Sequence, residues 1–437
     1  MVHHHSAIHT AFDLLHEFSA SAGLASICSA HPNVLQAALA LGRGSGRPVL
    51  IESTCNQVNH HGGYTGMTPA GFVSFVRHLA DDARLPPNDL LLGGDHLGPS
   101  PWQDLPAETA MGEALSLVAA YVQNGYTKIH LDASMPLGGD PPAPLPVELA
   151  AARSADLAAA AEAARPSGLA PAYVIGTEVP VPGGALAHEA ALTVTRPGDA
   201  AETLAATRDA FRRRGLAAAW ERVIAVVVQP GVEYGDDHIF DYDRTAAAGL
   251  ARFITTQPGL VYEAHSTDYQ TLASLRALVE DHFAILKVGP ALTFAYREAV
   301  FALEMIEREW LAGRPGVTLS GVRSALDAAM RANPVYWRKY YGNDPAEQAI
   351  KRGFSYSDRA RYYWPVPGVR VAVKQLLENL SGPLPLTLLS QYLPTQYARV
   401  REGQIPNAAP ALLQSAVTAV LETYAAAIDP ARSTMAG

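Results

Sequence analysis

The residues best suited to chemistry lie between Leu90 and Pro99, in the run Leu-Leu-Leu-Gly-Gly-Asp-His-Leu-Gly-Pro. Three leucines predict a buried strand, two glycines allow another group to come close, and an acid and an imidazole follow where the strand ends. Asp95 has the chemistry to move a proton, and His96 to bind a divalent metal or a substrate oxygen. Alternatively, Asp95 caps a helix and His96 is a core residue. The rest of the chain must therefore show whether this pair belongs to an active site.

The same arrangement, an apolar run followed by polar residues, recurs along the chain. The strand-like runs begin near Leu24, Pro48, Leu90, Lys128, Ala172, Arg222, Leu260 and Ala284. Amphipathic helical patterns separate or follow them, at residues 33–41, 68–82, 107–123, 146–164, 199–213, 243–255, 272–282 and 294–309. Eight apolar strands alternating with helices predict an α/β fold, a closed (β/α)8 TIM barrel rather than an open doubly wound sheet.

The rest of the chain predicts two helical regions around this barrel. Residues 1–22 carry a partial apolar stripe and predict an N-terminal helical segment, and residues 23–312 form the barrel. After Gly313 no strand-like run follows, so residues 313–437 predict a helical C-terminal extension packed on the barrel. Aromatic residues and arginines interleave at 336–341 and 357–365, which indicates an anion or subunit contact or, as we favour, packing against the barrel.

Composition limits the class of protein. The 437 residues are 49% hydrophobic and 17% charged with a net charge of -9, which is typical of a globular protein and argues against nucleic acid as the main partner. No run of 18 or more apolar residues and no signal pattern occur, so we expect no membrane association and a cytoplasmic location. The only two cysteines fit a reducing compartment.

In a TIM barrel the carboxyl ends of all strands meet at one rim, so polar residues at the ends of the runs should face one another. Their nitrogen and oxygen atoms would bind an ion such as Zn2+ or Mn2+, although no local ligand motif is present. The substrate-binding candidates are Glu52, Asn56, His130, Gln229, Asp268 and Lys287. The other strand-end candidates include Asp95, His96, Asp132, Glu178, Glu233 and His265, with Glu178 in a loop stiffened by Pro180 and Pro182.

A phosphate site is a further candidate. The loops after strands 7 and 8 of such barrels often bind phosphate, and Val288-Gly-Pro-Ala-Leu-Thr leads directly into a helix whose free N-H groups favour an anion. The candidate residues are Ser266, Thr267, Gly289 and Thr293. Alternatively, Gly289 and Pro290 only begin a helix.

Several long motifs resemble one family. They include Cys-Ser-Ala-His-Pro (28–32), Glu-Ser-Thr-Cys-Asn-Gln-Val-Asn (52–59), Gly-Gly-Asp-His-Leu-Gly-Pro (93–99), Gly-Thr-Glu-Val-Pro-Val-Pro-Gly-Gly (176–184) and Glu-Ala-His-Ser-Thr-Asp-Tyr-Gln (263–270). They resemble the Z-type subunit of class II tagatose-bisphosphate aldolase (GatZ/KbaZ-like), and the resemblance covers the chain after its first twenty residues.

The resemblance implies roles for some of these residues. Class II aldolases carry an Asp-His pair after strand 3, matched by Asp95 and His96, and a metal histidine after strand 7, matched by His265. The chain departs after strand 6, where Glu233 is nearby instead of a histidine, and after strand 8, where Gly289 replaces an asparagine. Glu178 or Glu233 would then complete a site for Zn2+, Mn2+ or Ni2+.

Two functions stay open under this resemblance. One is metal-dependent C4 epimerisation of fructose, tagatose or their phosphates by retro-aldol and aldol steps, with Asp95 or Asp132 moving the C4 hydroxyl proton and Glu178 as a further catalytic candidate. The other is a non-catalytic subunit that stabilises a separate class II aldolase catalytic subunit. A homo-oligomer is expected in either case.

Overall fold

A computed structural model describes residues 22–176 and 192–429 of the chain. The N-terminal segment expected at 1–22, except for its last residue, and the candidate Glu178 lie outside the described residues.

Eight parallel strands close into a barrel, which confirms the predicted TIM-barrel fold. Each strand pairs with the next along the chain, and the last pairs with the first, with Ile27 opposite Val288. The strands are β1 Leu24–Cys28, β2 Val49–Thr54, β3 Leu90–Leu97, β4 Lys128–Leu131, β5 Ala172–Ile175, β6 Val223–Val227, β7 Val261–Ala264 and β8 Ile285–Val288. All eight begin within one residue of the positions that the apolar runs predict.

Helices surround this barrel because the connection between two parallel strands crosses over the outside of the sheet. Each presents an apolar face to the strands; in helix Pro69–Ala83, for example, Phe72, Val76 and Leu79 are buried, and the Thr68 side chain caps the N-terminus. The barrel helices are Pro32–Ser45, Pro69–Ala83, Ala107–Gln123, Val147–Ala164, Pro197–Arg213, Ala217–Trp220, Arg244–Ile254, Leu272–Glu280 and Pro290–Leu311. The last of these begins at Pro290, directly after β8, where the sequence pattern indicates 294.

The region after Gly313 is helical, as predicted. Its helices are Val322–Ala332, Pro345–Phe354, Pro367–Asn379, Leu386–Tyr392, Pro394–Arg401 and Ala409–Ile428. Helix Ala409–Ile428 packs against three barrel helices and β1, and the Ile428 carbonyl oxygen accepts a hydrogen bond from the Gly23 amide at 3.2 Å. Within the described residues it is the one helix long and apolar enough to cross a membrane, and its packing on the barrel accounts for that composition.

Candidate active site

Two lysines and two glutamates form a buried charge network inside the barrel. Lys128 Nζ lies 2.6 Å from an oxygen of Glu52 and 2.6 Å from an oxygen of Glu263. Lys287 Nζ lies 2.6 Å from Glu52 and 3.3 Å from Glu263. Burial alone would lower the pKa of Lys128, but the two glutamates raise it, so this side chain stays charged. We call these four residues the floor of the site.

The backbone of β3 leaves room for the floor. Gly93 pairs in register with Glu52 on β2, and a Cβ atom at Gly93 would lie 2.3 Å from a Glu52 carboxylate oxygen. The glycine in this motif is therefore required by a close approach, as its position before the Asp-His pair predicts.

Asp95 faces the floor from the end of β3. Its carboxylate lies 2.5 Å from Lys287 Nζ and accepts a hydrogen bond from the Cys28 thiol at 3.6 Å. Burial alone would raise the pKa of Asp95, but the charges of His96 and Lys287 hold it well below the usual value. Asp95 is therefore a carboxylate at neutral pH, and it lines the cavity.

Three imidazole rings form a triangle above Asp95. The ring centroids of His96, His130 and His265 are 5.2, 4.8 and 5.1 Å apart in pairs. Burial lowers the pKa of His265 to about 3, so this ring is neutral and keeps a lone pair for coordination. The structure thus brings together the two predicted metal histidines and adds His130, which the sequence predicts as a substrate contact.

Asp132 orients one ring of the triangle. Its Oδ2 accepts a hydrogen bond from His96 Nδ1 at 2.8 Å, and its Oδ1 accepts from the Ser134 hydroxyl at 2.7 Å. Burial alone would lower the pKa of His96, but Asp95 and Asp132 raise it, so a metal ion at Nε2 would take the place of a proton there. His96 itself has a left-handed backbone, with φ of 47°, and its amide nitrogen lies 3.2 Å from His130 Nδ1.

Four donor atoms, none of them from His96, lie close enough together to hold a divalent ion. One atom each of Asp95, His130, Glu263 and His265 lies within 4.8 Å of the others. His130 Nε2 is buried and has no hydrogen-bond partner among the described residues. His130 Nδ1 lies 3.1 Å from Asp95 Oδ1, and in the tautomer that carries the ring proton on Nδ1 the Nε2 lone pair is available to a metal ion. Imidazole is a ligand that Zn2+, Mn2+ and Ni2+ all accept, although carboxylates suit Mn2+ better.

The C-terminal extension covers the mouth of the site. The cavity above the triangle measures about 470 Å³. One side is formed by strand ends and the loop after β2, including the predicted Asn56, and the other by residues of the extension. The extension contributes Val335, Tyr336, Lys339, Tyr340, Arg359, Arg361 and Tyr362, which with Tyr64 we call the mouth.

The groups predicted to bind phosphate have other partners. The amides of Gly289 and Ala291 both donate to Asp268, at 3.0 and 2.8 Å, so a carboxylate already occupies the helix N-terminus. The Thr267 hydroxyl donates to the Lys287 carbonyl, and the Thr293 hydroxyl donates to Asp358. Only Ser266 and Gly289 of this set line the cavity. A phosphate at this helix would have to displace Asp268, which the sequence predicts as a substrate contact.

Two further predicted residues lie away from the triangle. Glu233 begins a short hairpin, Glu233–Tyr234 with Ile239–Phe240, and its carboxylate accepts a hydrogen bond from the Tyr234 amide. Gln229 Oε1 accepts from the Gly231 amide at 2.8 Å and shapes the loop after β6. Neither is among the described residues that line the cavity.

The sequence analysis did not identify Lys128 as a site residue, and it favoured a packing role for the segments that form the mouth. Lys128 lies two residues before His130 on β4, so both side chains point into the barrel, and a charge inside an apolar strand was the available signal. The aromatic and basic runs at 336–341 and 357–365 do pack against the barrel, yet they also line the cavity.

Comparisons with known proteins agree with this architecture. The model of a family described as D-tagatose-1,6-bisphosphate aldolase subunit GatZ/KbaZ-like matches residues 13–429. A crystal structure described as a probable tagatose 6 phosphate kinase from Sinorhizobium meliloti 1021 is 48% identical, with a TM-score of 0.85 over 93% of this chain and 100% of that chain.

Two aldolase structures match more distantly. A fructose-bisphosphate aldolase from Campylobacter jejuni is 14% identical, with a TM-score of 0.47 over 85% of this chain and 91% of that chain. The YdjI aldolase from Escherichia coli K12 is 11% identical, with a TM-score of 0.42 over 83% and 96%. At these values neither bears on the site or the activity. The family match and the 48% identical structure are sufficient: the chain belongs to the GatZ/KbaZ-like family of D-tagatose-1,6-bisphosphate aldolase subunits.

Proposed function

We propose that this chain catalyses epimerisation at C4 of fructose, tagatose or their phosphates at a divalent metal site. The observation that carries the proposal is the triangle of His96, His130 and His265 beside the Asp95–Lys287 ion pair, next to a cavity of sugar size that His96 and His265 line. His130 takes the place that the sequence gives to Glu233 as third ligand. When bound, the ion would supply Lewis-acid stabilisation of negative charge on the ketose oxygens.

Asp95 takes the C4 hydroxyl proton in this proposal. It is ionised and lines the cavity, whereas Asp132 is committed to His96 and Ser134 and acts as a positioning residue. The Lys287 ammonium, 2.5 Å from Asp95 and also paired with Glu52, holds the Asp95 carboxylate in position. Glu178, outside the described residues, stays a candidate for a second proton transfer.

The reaction balances without a further reactant. As the proton leaves the C4 oxygen, the C3–C4 bond breaks, its electron pair stays on the C3 side as an enediolate, and C4 becomes an aldehyde carbon. If the enediolate then attacks the opposite face of the aldehyde, the C3–C4 bond re-forms and the proton returns to the C4 oxygen. The product is the C4 epimer. If the aldehyde leaves first, the net reaction is aldol cleavage.

A non-catalytic subunit is the second candidate, and the family description as an aldolase subunit favours it. In that role the chain would bind a separate class II aldolase subunit, whose melting temperature would rise with the concentration of this chain. A homo-oligomeric state and a cytoplasmic location belong to the proposal in either case. The kinase description belongs to the 48% identical protein and is not transferred to this chain.

The test begins with the metal content of the purified chain. The chain alone is then incubated with fructose, tagatose and their 6-phosphates, with and without added Zn2+, Mn2+ or Ni2+, and the C4 epimers are separated. We expect stoichiometric metal and epimer formation. His96→Ala, His130→Ala and His265→Ala should each lose both, while His78→Ala, an exposed helix histidine paired with Asp82, should lose neither.

The opposite result would favour the second candidate. A chain without bound metal or product that still stabilises a separate aldolase subunit, and does so equally well as His96→Ala, would overturn the enzymatic proposal.

A further inference from the structure

Arg361 brings a positive charge to the mouth without a carboxylate partner. Its Nη1 donates to the carbonyl oxygens of Ser357 and Asp358, and its Nη2 donates to the Tyr362 hydroxyl at 2.9 Å. No carboxylate of the described residues forms an ion pair with it. A guanidinium has five N-H donors, so Nε-H and one Nη2-H have no protein acceptor in the described part of the chain. These two donors suit two oxygens of one anion.

The surroundings of Arg361 hold it in place and add charge. Its guanidinium lies 4.5 Å from the centre of the Tyr362 ring, which stacks on Tyr336 at 4.6 Å. Lys339, exposed and over the Tyr340 ring, also lines the cavity. The Arg359 guanidinium lies over the Tyr340 ring, and its Nη1 donates to the Tyr336 carbonyl oxygen. Arg361 and Lys339 therefore bring two cations from one region to the same opening.

The other charged groups of the described residues form no ion pair with Arg361 or Lys339, although the carboxylates of Asp268 and Asp358 lie near enough to act on Arg361. The floor lysines are paired with Glu52 and Glu263, and Asp95 is paired with Lys287. Asp268, the other acid that lines the cavity, accepts two backbone amides, and burial raises its pKa to about 6. The helix N-terminus after β8, the other cationic feature at this rim, is closed by that carboxylate. The excess positive charge thus lies at the mouth.

We infer that the mouth binds the phosphate of a ketose phosphoester on the carbon farthest from the carbonyl, with Arg361 as the forked contact and Lys339 as a second cation. The inference rests on the proposed function and deepens it. The aldehyde fragment made when the C3–C4 bond breaks carries that phosphate. Holding it at the mouth keeps the fragment in the cavity while its carbonyl turns, so that re-addition gives the epimer instead of released aldehyde.

Binding is tested with a ligand that cannot react. A hexitol 6-phosphate has no carbonyl group, so its affinity, measured by calorimetry against the unphosphorylated hexitol, does not depend on turnover. We expect Arg361→Gln to weaken hexitol phosphate binding at least tenfold, and Arg361→Lys to weaken it less. The matched control is Arg338→Gln, which removes an exposed cation of the same segment that does not line the cavity and should leave the affinity unchanged.

Lys339→Gln tests the same site with little risk of misfolding, because Lys339 is exposed and outside any ion pair of the described residues. It should weaken hexitol phosphate binding about threefold with an unchanged melting temperature. Wild-type affinity in both Arg361→Gln and Lys339→Gln, or an equal loss in Arg338→Gln, would overturn the inference.

Turnover separates this inference from the proposed function. With a ketose 6-phosphate, Arg361→Gln should raise the ratio of released aldehyde phosphate to epimer, and it should change the corresponding ratio for an unphosphorylated ketose less. Phosphate-dependent binding at Arg361 without any epimerisation would contradict the proposed function but leave the subsite in place. Epimerisation with no dependence on Arg361 would contradict the phosphate subsite and leave the proposed function in place.

Discussion

The floor and the mouth of the cavity both carry positive charge, but they use it differently. On the floor, Lys128 and Lys287 each contact two glutamates, and their charges are cancelled inside the barrel. At the mouth, Arg361 and Lys339 have no carboxylate partner among the described residues, and their charge remains available to a ligand. This difference indicates two roles. The paired buried charges of the floor fix the positions of the side chains, whereas the unpaired charges of the mouth attract substrate.

The largest expected effect is on the floor. Lys128→Met leaves Glu52 and Glu263 with one fewer partner in a buried site, which should lower the free energy of unfolding by about 3–5 kcal/mol. Lys339→Met at the mouth should change it by no more than about 0.5 kcal/mol. Urea denaturation of both variants and the wild type measures the difference. Similar losses in the two variants would remove the distinction between floor and mouth.

The next effect concerns the acid that orients the metal triangle. Asp132→Asn weakens the hydrogen bond that fixes the His96 ring, so we expect metal affinity to fall by about 10- to 100-fold. Competition with a chelator of known affinity measures this loss. Asp104→Asn, an exposed acid near the same rim, is the control and should bind metal as the wild type does. Unchanged affinity in Asp132→Asn would mean that His96 is not a ligand.

Ionic strength should distinguish the two cations of the mouth. Lys339 is exposed, so its contribution to hexitol phosphate binding should be lost in 0.5 M salt, because mobile ions screen exposed charges. Arg361 is half-buried and offers a fork of donors, so the effect of Arg361→Gln should persist in high salt. Calorimetry at low and high salt measures both. Equal salt dependence of the two variants would indicate that both cations attract the phosphate only through screened charge.

The last effect concerns the pH dependence of stability near the mouth. His31 packs against Tyr296 at 4.3 Å, its Nδ1 has no partner among the described residues, and burial lowers its pKa to about 4. Since the unfolded state takes up a proton near pH 6.5 and the folded state only near pH 4, stability should fall as the pH falls through this window. His31→Phe keeps the ring packing and should flatten this part of the profile of unfolding free energy against pH. An identical slope in the variant would assign it to other groups.

The sequence predicts the residues at the strand ends better than the mouth. Glu52, Asp95, His130 and Lys287 end apolar runs, and the closure of a parallel barrel brings such ends together whatever the details of the loops. The mouth depends on how a helical extension docks, and packing angles of that kind are set by tertiary contacts that local patterns do not encode. The expected phosphate site could not be judged from sequence for another reason. Asp268, in the preceding loop, already accepts hydrogen bonds from the amides of Gly289 and Ala291.

The contact between Gly23 and Ile428 has a consequence for how the protein is made. The first strand to leave the ribosome must wait for β8 before the barrel can close, and for the helix at residues 409–428 before that closure is covered. Contacts so distant in the chain form slowly, since a long loop must be ordered before they can stabilise anything. A nascent chain that stalls before residue 409 should therefore remain exposed to aggregation and to chaperones, even though every strand has already been synthesised.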